Sequence, residues 1–516
     1  MSELCSNRDQ PLAAPPLRTD TLADSVVILL VLTGVQRLIG FCRALLFCRW
    51  LDAEQLGLWD MAWGFLVLGA PLAVLSLPGA FGRYVEPYRQ QRQLRTLLRR
   101  TTAVCAALAL VAAASICWGR AGFSRLVFDT PDAAGLAVLL ALALLAVISF
   151  NFLHELIIAL RNARLASMLQ LVNSIVFAGL GAYLILGWRA GAGSVVLAYG
   201  GACLVSTLAG AWWIQRVWRS LPADGPPLSH RALWTRLMPF AAWIWIVNLL
   251  TNLFDVAGRY MVLHYSRAGD ALAMLGEYHS SRVLPLILVS LAALLGAILT
   301  PHLSCDWESG RRERVALRLR LFLKGLAFGL TLAGVAMLLV APLVFGAALR
   351  GKFPGAEAVL PWTITYCAWL ALATVAMIYL WCAEKAPLAA AAMLGGLVVN
   401  VAANLILLPR LGLLGSVLGT SAGALAVLLL VCAMNAATGF RPDRGLWLML
   451  ALPPMVCLGP WLALLMLATV ALEAAASHYL LDPDEKAILA EAWTGWLGRL
   501  KGWAVGGRQR AVGSGP

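Results

Sequence analysis

Charge is scarce in this 516-residue chain. Asp, Glu, Lys and Arg make up 13% of it and hydrophobic residues 61%, where soluble domains carry about 25% charged residues. That balance excludes a protein that hides its apolar mass in one soluble core. Cysteine pairs are also missing: the 11 cysteines include no CxxC, and Cys42, Cys48, Cys105, Cys117, Cys203, Cys367, Cys432 and Cys457 fall inside apolar stretches. They read as small core residues rather than disulfide partners or metal ligands. The six histidines are far apart and none has zinc-type spacing, so neither a metal nor another cofactor is expected. Long polar loops are absent as well. No segment between apolar runs exceeds about two dozen residues, which leaves no room for an extramembrane nucleotide fold or glycosyltransferase site, and the chain is not expected to be an enzyme. A cleavable signal peptide is not evident either, since residues 1–24 are polar and include Asp9, Asp20 and Asp24.

Long apolar runs are what the chain has instead. They cover approximately 25–48, 57–79, 101–118, 135–158, 168–188, 194–214, 237–263, 279–301, 321–348, 359–382, 386–408 and 413–435. Each is close to the ~20 residues that cross a hydrocarbon core of about 30 Å. A further apolar region at 445–478 is broken by Pro453, Pro454, Gly459 and Pro460 and reads as a hairpin. The expected fold is all-α and polytopic, with about 14 transmembrane helices, 12 at the least.

Basic residues test this reading. The net charge of +14 could suit nucleic acid, but Lys and Arg fall in short clusters between apolar runs. Successive loops alternate between rich and poor in them, as the positive-inside rule requires. One side collects Arg83 to Arg100, Arg161, Arg164, Arg216, Arg219, Arg231, Arg236, the run Arg311 to Arg320, Lys385, Arg441 and Arg444, while Arg49, Arg189 and Arg410 lie on the other. The first side, with both termini, is expected to be cytoplasmic, and no nucleic-acid partner is expected. From residue 479 the sequence LDPDEK precedes Leu489, Trp493, Trp496, Leu500 and Trp503 at helical spacing, which reads as an interfacial amphipathic helix.

The two halves resemble each other at an offset of roughly 220 residues. Gly57-Leu58-Trp59 corresponds to Gly276-Glu277-Tyr278, Arg43 to Arg259, and Gly193-Ser194-Val195 to Gly415-Ser416-Val417. Six spans is an even number, so the repeats share one orientation and are related by an axis along the membrane normal. The expected organisation is a cytoplasmic tail (1–24), a first six-helix lobe (25–215), a linker (216–236), a second lobe (237–436), the hairpin (445–478) and a cytoplasmic amphipathic tail (479–516). Two pseudo-symmetric lobes would face one central cleft.

Ionisable groups inside spans face a protein interior or a wet cavity by default. At ~100° per residue, Thr33, Gln36, Arg37, Gly40 and Arg43 share one face of the first span, and Asn248, Asn252, Asp255 and Arg259 form a stripe on the seventh. Asn151, His154 and Glu155 share a face of the fourth, and His279 and Arg282 open the eighth. Arg37, Arg43, Asn248, Asn252, Asp255, Arg259 and Arg282 are therefore the expected cleft residues, with Gln36, Asn151, His154 and Glu155 as further polar members. The arginines would hold an anionic group, because guanidinium suits phosphate by paired hydrogen bonds. Alternatively Arg259 only neutralises Asp255, four residues earlier, Arg43 snorkels to the interface near Trp50, and His154 with Glu155 caps a helix end.

The segment RLIGFCRALLFCRWLDAEQLGLWD followed by PLAVLSLPGAFGRYV resembles the N-terminal signature of polysaccharide biosynthesis membrane proteins, the oligosaccharide-lipid flippases of the multidrug/oligosaccharidyl-lipid/polysaccharide superfamily. PRLGLLGSVLGTSAGA, from Pro409, is similar to that superfamily's glycine-rich entry to the twelfth span. The resemblance implies a carrier in a bacterial inner membrane that moves a polyprenyl-pyrophosphate-linked oligosaccharide between leaflets by alternating access. It also implies, as partners, the lipid-linked oligosaccharide, the bilayer, and a polysaccharide polymerase or chain-length regulator. Two alternatives share the fold: a cation-coupled multidrug exporter, which would need a carboxylate deep in the cleft, and a flippase of the peptidoglycan precursor lipid II.

Overall fold

A chain immersed in hydrocarbon must satisfy its backbone polar groups within each segment, and the long apolar runs do so as helices. The computed structural model describes residues 22–219, 221, 228–266 and 270–488, and these residues contain no strand. The helices in chain order are α1 (Leu22–Trp50), α2 (Ala53–Ala73), α3 (Phe81–Gln90), α4 (Leu94–Trp118), α5 (Arg120–Phe128), α6 (Ala134–Ala159), α7 (Ala163–Gly187) and α8 (Ala192–Trp218). They continue with α9 (His230–Tyr265), α10 (Ala271–Arg282), α11 (Leu286–Glu308), α12 (Arg312–Pro342), α13 (Pro354–Ala376), α14 (Ile378–Cys382), α15 (Ala386–Leu411), α16 (Leu413–Ala437), α17 (Arg444–Leu450) and α18 (Pro460–Ala476). Twelve helical segments among the described residues are long and apolar enough to cross a membrane. Each corresponds in order to one of the twelve apolar runs.

The terminal hairpin has shorter legs than two full spans. One leg is α17 with the 3-10 turn Pro453–Leu458, the other is the 17-residue α18, and Gly459 at φ +97° turns the chain between them. The legs return to one place, because a Cβ on Gly445 would lie 2.3 Å from the carbonyl oxygen of Leu480. Of the C-terminal amphipathic helix, residues 489–516 lie outside the described residues, as do residues 1–21 of the N-terminal tail.

Loops sort to two ends of the bundle in keeping with the charge alternation. At the arginine-rich end the Tyr84 hydroxyl donates to the Arg236 carbonyl at 2.9 Å, and Arg95 donates to the Arg219 carbonyl. At the arginine-poor end Ala192 N–H donates to Gln55 Oε1 at 3.0 Å, and Lys352 Nζ donates to the Arg49 carbonyl at 3.0 Å.

The two lobes meet where repeat-related glycines cross. A Cβ on Gly57 of α2 would sit 2.1 Å from the Leu272 carbonyl oxygen, and one on Gly276 of α10 would sit 2.0 Å from that of Ala53. Both obstacles are backbone and cannot turn aside, so the small residues let α2 and α10 touch main chain to main chain. Gly57→Ala or Gly276→Ala is expected to force the helices apart at a cost of about 1–3 kcal/mol. A lowered melting temperature of the detergent-solubilised protein would register this, and an unchanged one would contradict the crossing.

Two helices of this interface are interrupted. The expected eighth span is two helices, α10 and α11, separated at Val283–Pro285. After α2, Leu75 and Ser76 adopt left-handed backbone at φ 53° and 47° before the 3-10 turn Leu77–Ala80.

At the arginine-rich end of α12, Lys324 is buried with Nζ 2.6 Å from Asp443 Oδ2, 2.7 Å from Glu485 Oε2 and 2.8 Å from the Leu480 carbonyl oxygen. Arg320 pairs with Glu485 at 2.7 Å and with Asp482 at 2.9 Å. The carboxylates of Asp443, Asp482 and Glu485 converge as metal ligands would. Lys324 and Arg320 already supply the cations there, so the cluster clamps the ends of the hairpin to α12.

Candidate functional site

A cavity of about 520 Å³ lies between the lobes. The first lobe contributes α1 (Gln36, Arg37, Gly40, Arg43), α2 (Trp59, Asp60, Trp63), α6 (Phe150, Asn151), α7 (Gln170, Asn173, Phe177) and α8 (Tyr199). The second contributes Arg259 of α9, His279 and Arg282 of α10, and Leu286, Ile287 and Ser290 of α11. Glycine at position 40 keeps this face of α1 open, and the four-residue steps Gln36 to Gly40 and Arg43 to Phe47 bring the polar residues onto it.

One wall carries a chain of charges. Asp60, 1% exposed, lies 2.7 Å from His279 Nδ1 and 3.0 Å from Arg259 Nε. Arg259 Nη2 reaches Asp255 at 3.1 Å, and Arg282 Nη2 reaches the other oxygen of Asp255 at 2.5 Å. Gly64, one turn beyond Asp60 on α2, makes room for this, since a Cβ there would lie 3.0 Å from Arg259 Nη1. Two carboxylates face two guanidiniums, so the chain is neutral before any charge on His279 is counted.

The surroundings of Arg43 are different. Arg43 lies over the Phe177 ring, 4.0 Å from its centroid, in a nest of aromatics where Phe47, Trp59, Trp63 and Tyr199 meet Phe177 or each other at 5.0–6.4 Å. Neither Arg43 nor Arg37 has a carboxylate partner among the described residues. Arg37 and Arg43 therefore leave the cavity with a surplus of two positive charges. Its neutral polar groups include the amides Gln36, Asn151, Gln170 and Asn173.

The residues expected from the sequence divide into three groups. Arg37, Arg43, Gln36, Asn151, Arg259 and Arg282 line the cavity together. Asp255 sits behind them as the shared counter-ion of Arg259 and Arg282, so neutralisation of Arg259 by Asp255 is what the geometry shows. Asn248, Asn252, His154 and Glu155 are not in the wall. Asn248 instead donates to Ser76 Oγ at 3.3 Å, tying α9 to the break after α2, and His154 contacts the Phe150 ring.

Sequence reasoning missed Asp60, which stands in the quoted segment GLWD with no role attached. The signal was the repeat: Asp60 and His279 are 219 residues apart, the same spacing as Gly57 and Gly276. It also missed Gln170 and Asn173, polar residues three apart in an apolar span.

A family model described as a polysaccharide biosynthesis protein matches residues 22–304. No curated protein sequence matches the chain. Among solved structures, the lipid II flippase MurJ in an inward closed conformation superposes with a TM-score of 0.66 at 12% identity, over 92% of this chain and 99% of that one. An inward-facing multidrug resistance MATE family transporter of the MOP superfamily gives 0.63 at 15% identity, over 80% of this chain and 98% of that one. A MOP superfamily transporter from Pyrococcus furiosus, whose title ascribes to it a binding pocket of reverse polarity, gives 0.56 at 15% identity, over 80% and 96%. At these identities the likeness is one of fold.

Proposed function

Because the chain belongs to the polysaccharide biosynthesis protein family, we propose that it is a flippase that moves a polyprenyl-pyrophosphate-linked oligosaccharide across the bacterial inner membrane for surface polysaccharide assembly. The arginine-rich end and both termini lie on the cytoplasmic side in this reading. The observation that carries it is the pair Arg37 and Arg43, two guanidiniums facing a cavity with no carboxylate of their own. An uncompensated cation inside a membrane protein is costly, and it is sustained where a ligand brings the opposite charge. Pyrophosphate suits the planar fork of arginine better than a point charge would.

The rest of the wall fits the remainder of such a molecule. Trp59, Trp63 and Tyr199 offer flat apolar faces to the C–H side of sugar rings, and Gln36, Asn151, Gln170 and Asn173 offer both donors and acceptors to hydroxyls. A cation-coupled drug exporter fits less well, since both carboxylates of the site, Asp60 and Asp255, are already engaged by arginines.

A deletion strain tests the reading. Lipid-linked sugar units are expected to accumulate on the cytoplasmic leaflet and surface polysaccharide to fall, with both restored by the wild-type gene. Undiminished surface polysaccharide would refute it, and accumulation of peptidoglycan precursor instead would transfer the same mechanism to lipid II.

A further inference from the structure

Asp60 belongs to the first lobe, yet its partners Arg259 and His279 belong to the second. It sits one turn from Gly57 on α2, so the lobes cannot part at the arginine-poor end without separating Asp60 from both. The bond to His279 is short and well formed, but that to Arg259 is not. Asp60 Oδ2 and Arg259 Nε face each other at 3.0 Å without hydrogen-bond geometry, and each is buried with no hydrogen-bond partner. Arg259 Nη1 and Arg282 Nε are likewise buried donors without an acceptor. Three guanidinium nitrogens in one wall of the cavity therefore lack an acceptor, and the carboxylate beside them fills the place only by charge.

We propose that Asp60 is an internal stand-in for the substrate's anion, and that exchange of one for the other releases the lobes. The inference rests on the reading that the cavity takes a phosphate-bearing head group. A pyrophosphate held by Arg43 shares the cavity with Arg259 and Arg282, and its several oxygens satisfy the donors that one carboxylate leaves idle. Separating Asp60 from Arg259 and His279 in the empty protein strands a buried carboxylate and leaves Arg259 with Asp255 alone, which is strongly unfavourable. With phosphate on Arg259 the stranding disappears, and Asp60 enters a widening, wetter cleft. The empty carrier stays shut at the arginine-poor end and the loaded one opens. Asp60 is thus a positioning residue that couples occupancy to movement, and a ligand can do this only by binding the two states unequally.

Pulsed dipolar distances between nitroxides attached through Asp52→Cys and Asp270→Cys, in the otherwise cysteine-free full chain in nanodiscs, test the exchange. These positions lie on opposite lobes at the arginine-poor end. Without ligand the parent protein is expected to hold the longer distance in under about 10% of molecules and Asp60→Asn in a majority; polyprenyl pyrophosphate, without sugar, is expected to raise that population in the parent. If Asp60→Asn melts early, His279→Gln, which keeps a polar side chain, is expected to show a smaller shift in the same direction. A ligand-free distance in both variants identical to the parent's would overturn the latch, whatever the substrate. A parent that ignores polyprenyl pyrophosphate while Asp60→Asn opens would overturn the exchange and point to failure of the anion reading.

Discussion

Arg43→Gln is expected to cut the flipping rate by one to two orders of magnitude while leaving the fold intact. Hydrogen bonds to a charged group contribute about 1.5–3 kcal/mol each, and at 1.4 kcal/mol per factor of ten the net loss of one spans that range. The fold is spared because Arg43 has no carboxylate partner to orphan. Only its contact with the Phe177 ring is lost, a term of about 0.5–2 kcal/mol. Arg43→Lys separates charge from shape: it keeps the cation but not the paired donors, and an intermediate rate is expected. The assay is transbilayer movement of a fluorescent polyprenyl-pyrophosphate sugar in reconstituted vesicles, with melting curves alongside. A glutamine variant that melts normally and flips at the parent rate would remove Arg43 from the binding site.

The opposite pattern is expected at the hairpin clamp. Lys324 and Glu485 have side chains 1% and 0% exposed, so Lys324→Met takes the cation from one oxygen of a buried carboxylate and leaves it to Arg320 alone. Removing one member of a buried pair costs about 3–5 kcal/mol, a large part of the ~5–15 kcal/mol that holds a typical domain together. The variant is expected to melt well below the parent and to accumulate poorly. Lys324→Met with Glu485→Gln is expected to recover much of the loss, since the buried carboxylate short of a cation is gone and Arg320 keeps Asp482. Recovery distinguishes an electrostatic clamp from simple packing of a long side chain, which the second substitution would not repair.

Much of the architecture was legible because a membrane simplifies the problem. Twelve spans follow from twelve apolar runs, and their orientation relative to one another from Arg83 to Arg100 and the loops that alternate with them. The cationic face of α1 was legible too, since Gln36, Arg37 and Arg43 share an arc in any helix. Contacts made only by tertiary crossing were not. Asp60, three residues after a glycine near a helix start, reads like an ordinary polar end until α10 is laid across α2. Asp482 and Glu485 read as solvent-facing charges of a tail, because nothing local shows that Lys324, more than 150 residues earlier, is buried beneath them. The α9 stripe misled in the reverse sense: Asn248 has the right periodicity for a cleft residue, but Ser76, 172 residues away, claims its amide.

The glycine crossing has a consequence for symmetry. In a homodimer of one six-span unit, the residue on a two-fold axis meets its own copy. Gly57 and Gly276 still obey that rule. Asp60 and His279, one turn further along the same two helices, cannot, because an acid facing its own duplicate at 2.7 Å would be repelled. The two repeats thus keep matching glycines where their main chains touch and carry an acid and a base where the next side chains meet, a complementarity that requires the halves to differ.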